Sequence, residues 1–170
     1  HPTRDNNTYL LYKKGWRGIN IDLNPLSIDL FNVLRSKDIN INAAISNKKQ
    51  TTNFLFKGET SPLNTLDVNQ INFLKSRFKI NKIDLIKKKI KTKKINDILK
   101  KYKYYNIDFM SIDVEGLEYQ IVKSLNFQKY KVKVFCLEIL KHNKESKKNG
   151  KNLIRLLKKN NYVFAGKTKV

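Results

Sequence analysis

Ile107-Asp108-Phe109-Met110-Ser111-Ile112-Asp113-Val114-Glu115-Gly116-Leu117-Glu118 is the stretch whose reading decides the fold. It begins as an apolar run, Phe109 to Ile112, and breaks at Asp113, Glu115 and Gly116. Leu117, Ile121, Val122 and Leu125 then recur at helical spacing. This predicts a buried strand over 107–113 that turns into a helix. In open α/β sheets, ligands bind beyond the carboxyl ends of the strands. Acids and a glycine at that place are therefore candidates for a site.

Upstream, the order repeats. Asn7 to Lys14 predicts a short helix, and Gly15 suits a left-handed end to it. Gly18 to Asp22 alternates isoleucines with polar residues and ends on an acid, which predicts a strand. Asn24-Pro25 is a helix cap followed by proline at the first helical position. Ile28, Phe31 and Leu34 carry that helix to about Arg35, and Ile39 to Ile45 predicts the next strand. Residues 48–91 are less regular. There Thr51 to Phe56 and Ile83 to Ile90 read as strands, and Gly58 to Asp67 as a loop. From Thr92 a helical face forms on Ile95, Ile98, Leu99 and Tyr102. Beyond the central stretch come a strand over Val132 to Ile139 and a helix around Leu153, Leu156 and Leu157 that stops at Asn160-Asn161. Tyr162 to Ala165 would begin a final strand. Alternating helices and strands predict a parallel α/β sheet. The expected organisation is one domain, 1–170, with an irregular insertion at about 48–91.

No run approaches the roughly 18 apolar residues of a membrane span. Cys136 is the single cysteine, so neither an intrachain disulfide nor a cysteine metal cluster is available. It lies in an apolar run and reads as an inert thiol in a reducing, cytoplasmic setting. The net charge of +22 suits an anionic partner, nucleic acid or an anionic membrane. Lysine, asparagine and isoleucine are abundant throughout, as biased codon usage would make them. The densest spots, Lys87-Lys88-Lys89 and Lys147-Lys148, read first as solvated faces.

Asp22 ends a strand before a helix. A carboxylate there accepts from both ribose hydroxyls in nucleotide-binding α/β folds, or it serves the helix start or the surface. Asp113 and Glu115 alternate, so in extended chain they share a face. Such a pair suits metal binding, positioning of a hydroxyl, or general-base work. The alternative is helix-start acids favoured by the macrodipole, with Gly116 simply permitting a turn. Glu118 reads as a helix-start residue. Glu138 ends an apolar run and needs either the cleft or a buried partner. His1 and His142 have no matched ligand spacing, so no histidine metal site is expected. Trp16, beside Gly15, reads as core packing.

Four segments together resemble the FkbM family of S-adenosylmethionine-dependent methyltransferases. They are residues 7–25, Asn42-Ala43-Ala44-Ile45-Ser46, residues 107–118, and Phe135-Cys136-Leu137-Glu138-Ile139. Asp-Val-Glu-Gly-x-Glu after an apolar strand, with Asp-x-Asn-Pro upstream, is the most specific part. The resemblance implies a Rossmann-like seven-stranded methyltransferase sheet. It implies S-adenosylmethionine as cofactor, contacted by Asp22 and Asn24, by Asn42, Ala43, Ala44 and Ile45, and by Asp113. It makes Asp113 and Glu115 the catalytic pair and puts Gly116 and Glu138 on the substrate side. No metal is implied. The implied reaction is O-methylation of a hydroxyl on a sugar, polysaccharide precursor or polyketide-like metabolite. The family's first strand and glycine loop are expected just before His1-Pro2, and its last strand beyond Val170. The sheet is therefore expected to be truncated at both ends. The readings left beside it are a basic nucleic-acid-binding module and a catalytically inactive substrate-binding relative.

Overall fold

Asn24 starts the first long helix as its residue type predicts. Its side chain accepts from the Leu26 N–H at 3.0 Å, and Pro25 follows at the first turn. In the computed structural model this helix, α2, spans Pro25–Leu34 and buries Ile28 and Phe31 one turn apart. The structure describes residues 1–4, 6–56, 72, 75, 76, 86–114, 116–139 and 143–167. Before α2 come α1 (Tyr9–Lys13) and β1 (Ile19–Asp22); after it comes β2 (Ile39–Asn42). Gly15, at φ +93, ends the α1 turn in the left-handed conformation that glycine adopts without strain. β1 and β2 pair in parallel, from Ile19 against Ile39 to Asp22 against Asn42.

This first βαβ unit is tied together by a buried ion pair. Arg35 donates from Nε and Nη2 to Asp38 Oδ2 at 2.9 and 2.7 Å. Its Nη1 donates to Thr8 Oγ1 at 2.8 Å, and the guanidinium lies over the rings of Tyr12 and Phe31. Asp38 also accepts from the Gly18 N–H at 3.1 Å and from Asn20 Nδ2 at 3.0 Å. The pair is affordable in the interior because each charge keeps several polar partners.

The predicted strand over 39–45 is interrupted. The Ala43 N–H bonds to the Asp22 carbonyl, and β3 (Ala44–Ile45) then leaves β1 to pair in parallel with β5 (Ile86–Lys93). β4 (Thr51–Phe56) pairs antiparallel with β5. The strand predicted at 83–90 is thus found from Ile86, and it runs on through Thr92 to Lys93; 83–85 and the predicted 58–67 loop lie outside the described residues. α3 spans Ile95–Lys101, on the helical face expected from Ile95, Ile98 and Leu99, and the Thr92 hydroxyl just before it donates to the Lys48 carbonyl at 2.6 Å.

β6 (Asn106–Ile112), α4 (Glu118–Ser124) and β7 (Lys131–Leu137) form a second βαβ unit, with β6 and β7 parallel throughout. α5 (Lys144–Lys159) follows. Asn143 and Ser146 close a capping box on it, each side chain accepting the other's backbone N–H at 2.8 and 2.9 Å. Asn161, at φ +66, ends it where Asn160-Asn161 predicted a stop. The core gathers on this half. Leu99, Leu125, Tyr130 and Val132 form one cluster, and Ile112, Ile121, Val122 and Leu153 another.

Tyr162 to Ala165 is not a strand. The Tyr162 hydroxyl donates to the Val132 carbonyl at 2.6 Å and its ring packs edge-on against Phe127 and Phe135, while Val163 and Phe164 face solvent. One anchored ring replaces a ladder. Trp16 is also not core: it is 46% exposed. The fold is mixed α/β. Among the described residues its strands form sheets of order β1-β2, β3-β5-β4 and β6-β7. No helix among them is long and apolar enough to cross a membrane.

Candidate active site

The ends of β1 and β6 bring two acids together from 91 residues apart. Asp22 is the last residue of β1, and Asp113 follows the last residue of β6. Asp22 accepts from the Asn24 N–H at 2.8 Å, which fixes its carboxylate above the strand end. Asn42 Nδ2 donates to the Asp22 and Leu23 carbonyls at 3.1 and 2.8 Å, so the loop after β1 is held from the neighbouring strand. Asn24 and Asn42 therefore spend their side chains on shaping this loop. Ala44 is buried, and Ala43 and Ile45 carry the backbone past the strand end.

The Asp113 carboxyl has a raised pKa. Asp113 is exposed at the rim of the cleft, so the protein around it removes only part of its water; that partial loss contributes most, and the negative charge of Asp22 adds to it. Both effects disfavour a second bare carboxylate beside the first.

Glu118 is the first residue of α4 and is buried. Leu117, at the cap position, offers no side-chain acceptor. Glu118 supplies one by reaching back. It accepts from the Val114 N–H at 3.0 Å and from the Gly116 N–H at 3.2 and 3.1 Å. Gly116 sits at φ +107, a conformation that glycine reaches without penalty, and this points its N–H at the carboxylate. Burial raises the Glu118 pKa, the donated N–H bonds lower it, and Asp113 raises it again; the net direction is upward. The helix-start reading of Glu118 was incomplete. Its main work is to clamp the loop that carries Asp113.

Glu138 arrives from β7. Its N–H bonds to the Ile112 carbonyl at 3.4 Å, extending the β6–β7 ladder by one residue and setting it beside Asp113. Carboxylate oxygens of Asp113, Glu118 and Glu138 lie within 4.8 Å of one another. A small depression beside them is lined by Gly116, Glu118, Tyr119, Glu138, Ser146 and Asn149. Ser146 and Asn149 come from α5 and carried no sequence signal, because the cleft meets that helix only in the folded chain. Glu115 lies outside the described residues. Of the predicted site residues, Asp113, Gly116 and Glu138 thus gather at the ends of β6 and β7, with the charge of Asp22 at the end of β1 felt by Asp113. The cluster concentrates negative charge where a cationic or hydroxyl-bearing ligand finds acceptors.

Carboxylates at the ends of parallel strands, backed by helices, are the arrangement of an α/β domain with a candidate site at the strand ends. The particular family follows from comparison with known proteins. Residues 1–164 match the family model described as the Methyltransferase FkbM domain, and the chain belongs to that family. It is a methyltransferase domain. Neither a curated protein nor a solved structure matches it.

Proposed function

We propose that the protein transfers a methyl group from S-adenosylmethionine to a hydroxyl oxygen of a small-molecule or glycan acceptor. In this reading both parallel βαβ units belong to one doubly wound sheet of the seven-stranded methyltransferase type. The observation that carries it is the pairing of Asp22 and Asp113 across the ends of β1 and β6, close enough for one charge to raise the pKa of the other. The donor set fits the cofactor. S-adenosylmethionine presents ribose hydroxyls and positive charge, and this cleft offers carboxylate acceptors. When bound, it supplies an electrophilic methyl on sulfur. Asp22 would hold the ribose, with the backbone from Asn42 to Ile45 alongside it.

The chain's own contribution is alignment and proton handling. Methyl transfer to oxygen depends on holding the acceptor in line. Asp113 accepts the acceptor's hydroxyl proton, and Glu138 and the Gly116 turn hold the acceptor against it. A raised pKa makes Asp113 a better base than an ordinary carboxylate while leaving it ionised once the pH exceeds that value.

Two variants separate the roles. Asp113→Asn should lower turnover by about 10²–10⁴-fold, with the Kd for S-adenosylmethionine within about threefold of wild type. Asp22→Ala should instead raise that Kd by about 10–100-fold through lost charge-assisted hydrogen bonds. Calorimetry and a methyl-transfer assay read both. Wild-type turnover in the first variant, or an unchanged Kd in the second, overturns the assignment.

A further inference from the structure

The outward face of α5 has no part in the proposed reaction, yet its charge is organised. Lys147, Lys148, Lys151, Arg155, Lys158 and Lys159 are all exposed. At 3.6 residues per turn they fall within an arc of about 120°, over a length of about 18 Å. Lys144 extends the same line by one turn. The only acid in the helix, Glu145, lies off the arc. The opposite face is the buried one, carrying Gly150 and Leu153. Among the described residues, none of the six cations has an ion-pair partner. Packing of the opposite face against the core leaves every one of these cations on the outer side, as one continuous basic strip.

We propose that this face docks the protein on an anionic lipid surface through charge alone. Three features select a lipid surface over other polyanions. Five of the six groups are lysines, point charges without the planar fork that suits specific phosphate recognition. No aromatic residue stands among them to stack a base, and no amide or hydroxyl side chain within the arc reads an edge. The cations line a straight rod and sit on long flexible stems, so all can meet a plane together. Leu153, Leu156 and Leu157 of α5 are already in the core and only Ile154 is left partly exposed, so charge rather than insertion dominates. Binding is therefore peripheral and salt-sensitive.

The test is cosedimentation of the chain with phosphatidylcholine vesicles containing about 30% phosphatidylserine. Wild type should bind at about 50 mM salt and release at about 300 mM, and should ignore pure phosphatidylcholine. Lys151→Gln, Arg155→Gln and Lys158→Gln together should reduce partitioning roughly 100-fold. Lys151→Arg with Lys158→Arg should retain it, which separates lost charge from a disturbed helix. Lys87→Gln, Lys89→Gln and Lys91→Gln together remove the same charge from β5 and should change partitioning by less than about threefold. An equal loss in the β5 variant overturns the proposal, since the whole field would then be responsible. So does duplex DNA binding as tight as vesicle binding at the same salt, and so does no sedimentation of wild type. The α5 variant should bind S-adenosylmethionine like wild type, so this test stands apart from the catalytic reading.

Discussion

Asp113 and Glu118 sit five residues apart with opposite constraints. Asp113 reaches the cleft from a loop, whereas Glu118 is buried and holds that loop through three short contacts to two N–H groups. Glu118→Ala should orphan both donors and cost about 1–3 kcal/mol, read as a lower urea midpoint. It should also lower turnover, because Asp113 loses its support. Both acids have folded pKa values above their ordinary 3.8 and 4.5. The native state then holds protons more tightly than the unfolded chain, so these groups cost stability as pH rises from those ordinary values through the raised ones. Unfolding free energy should fall across that window, and Asp113→Asn should make the fall shallower. A steeper fall in the variant contradicts the assignment. Arg35 is the structural counterpart. Arg35→Met leaves Asp38, whose side chain is fully buried, without its cation, and should cost about 3–5 kcal/mol.

At the scale of elements, α5 is the most sharply specified. Its cap is reciprocal, and Asn143→Ala should cost about 0.5–2 kcal/mol by thermal melting. Gly150 lets it lie against the strand end carrying Glu138. A Cβ there would stand 2.5 Å from Ile139 Cγ2. Gly150→Ala gains about 1 kcal/mol of helix propensity but forces the helix off Ile139, an overpacking cost of about 1–3 kcal/mol. The expected result is a net loss of stability, with reduced turnover as Glu138 shifts. The short strands were harder to place. Ile39 to Ile45 has one unbroken sequence pattern, yet its first half pairs with β1 and its last two residues with β5. Period-two alternation states that a segment is extended but not which neighbour it takes. Tyr162 to Ala165 had the same apolar look and formed no ladder, because Tyr162 found a carbonyl and two rings instead.

Across the whole molecule, a net charge of +22 coexists with a cluster of acids at the strand ends. In the proposed reading a positive surface around a negative cleft keeps two roles apart, the cleft taking a cationic cofactor and the surface an anionic partner. Membership of the FkbM methyltransferase family, matched over residues 1–164, was legible before any coordinates, in Asp22-Leu23-Asn24-Pro25 and in the Asp113 to Glu118 turn. What the sequence by itself determined was local. Asn24 caps a helix, Gly15 and Gly116 take positive φ, and β6 ends just before Asp113. Each of these follows from sterics and hydrogen bonding within a few residues. Only the tertiary structure decided the rest. It brought Asp22 beside Asp113, set Glu138 and Glu118 within one cluster, and turned six cations of α5 to one outer face. Those distances depend on which buried faces pack together, and packing joins residues that the chain itself keeps far apart.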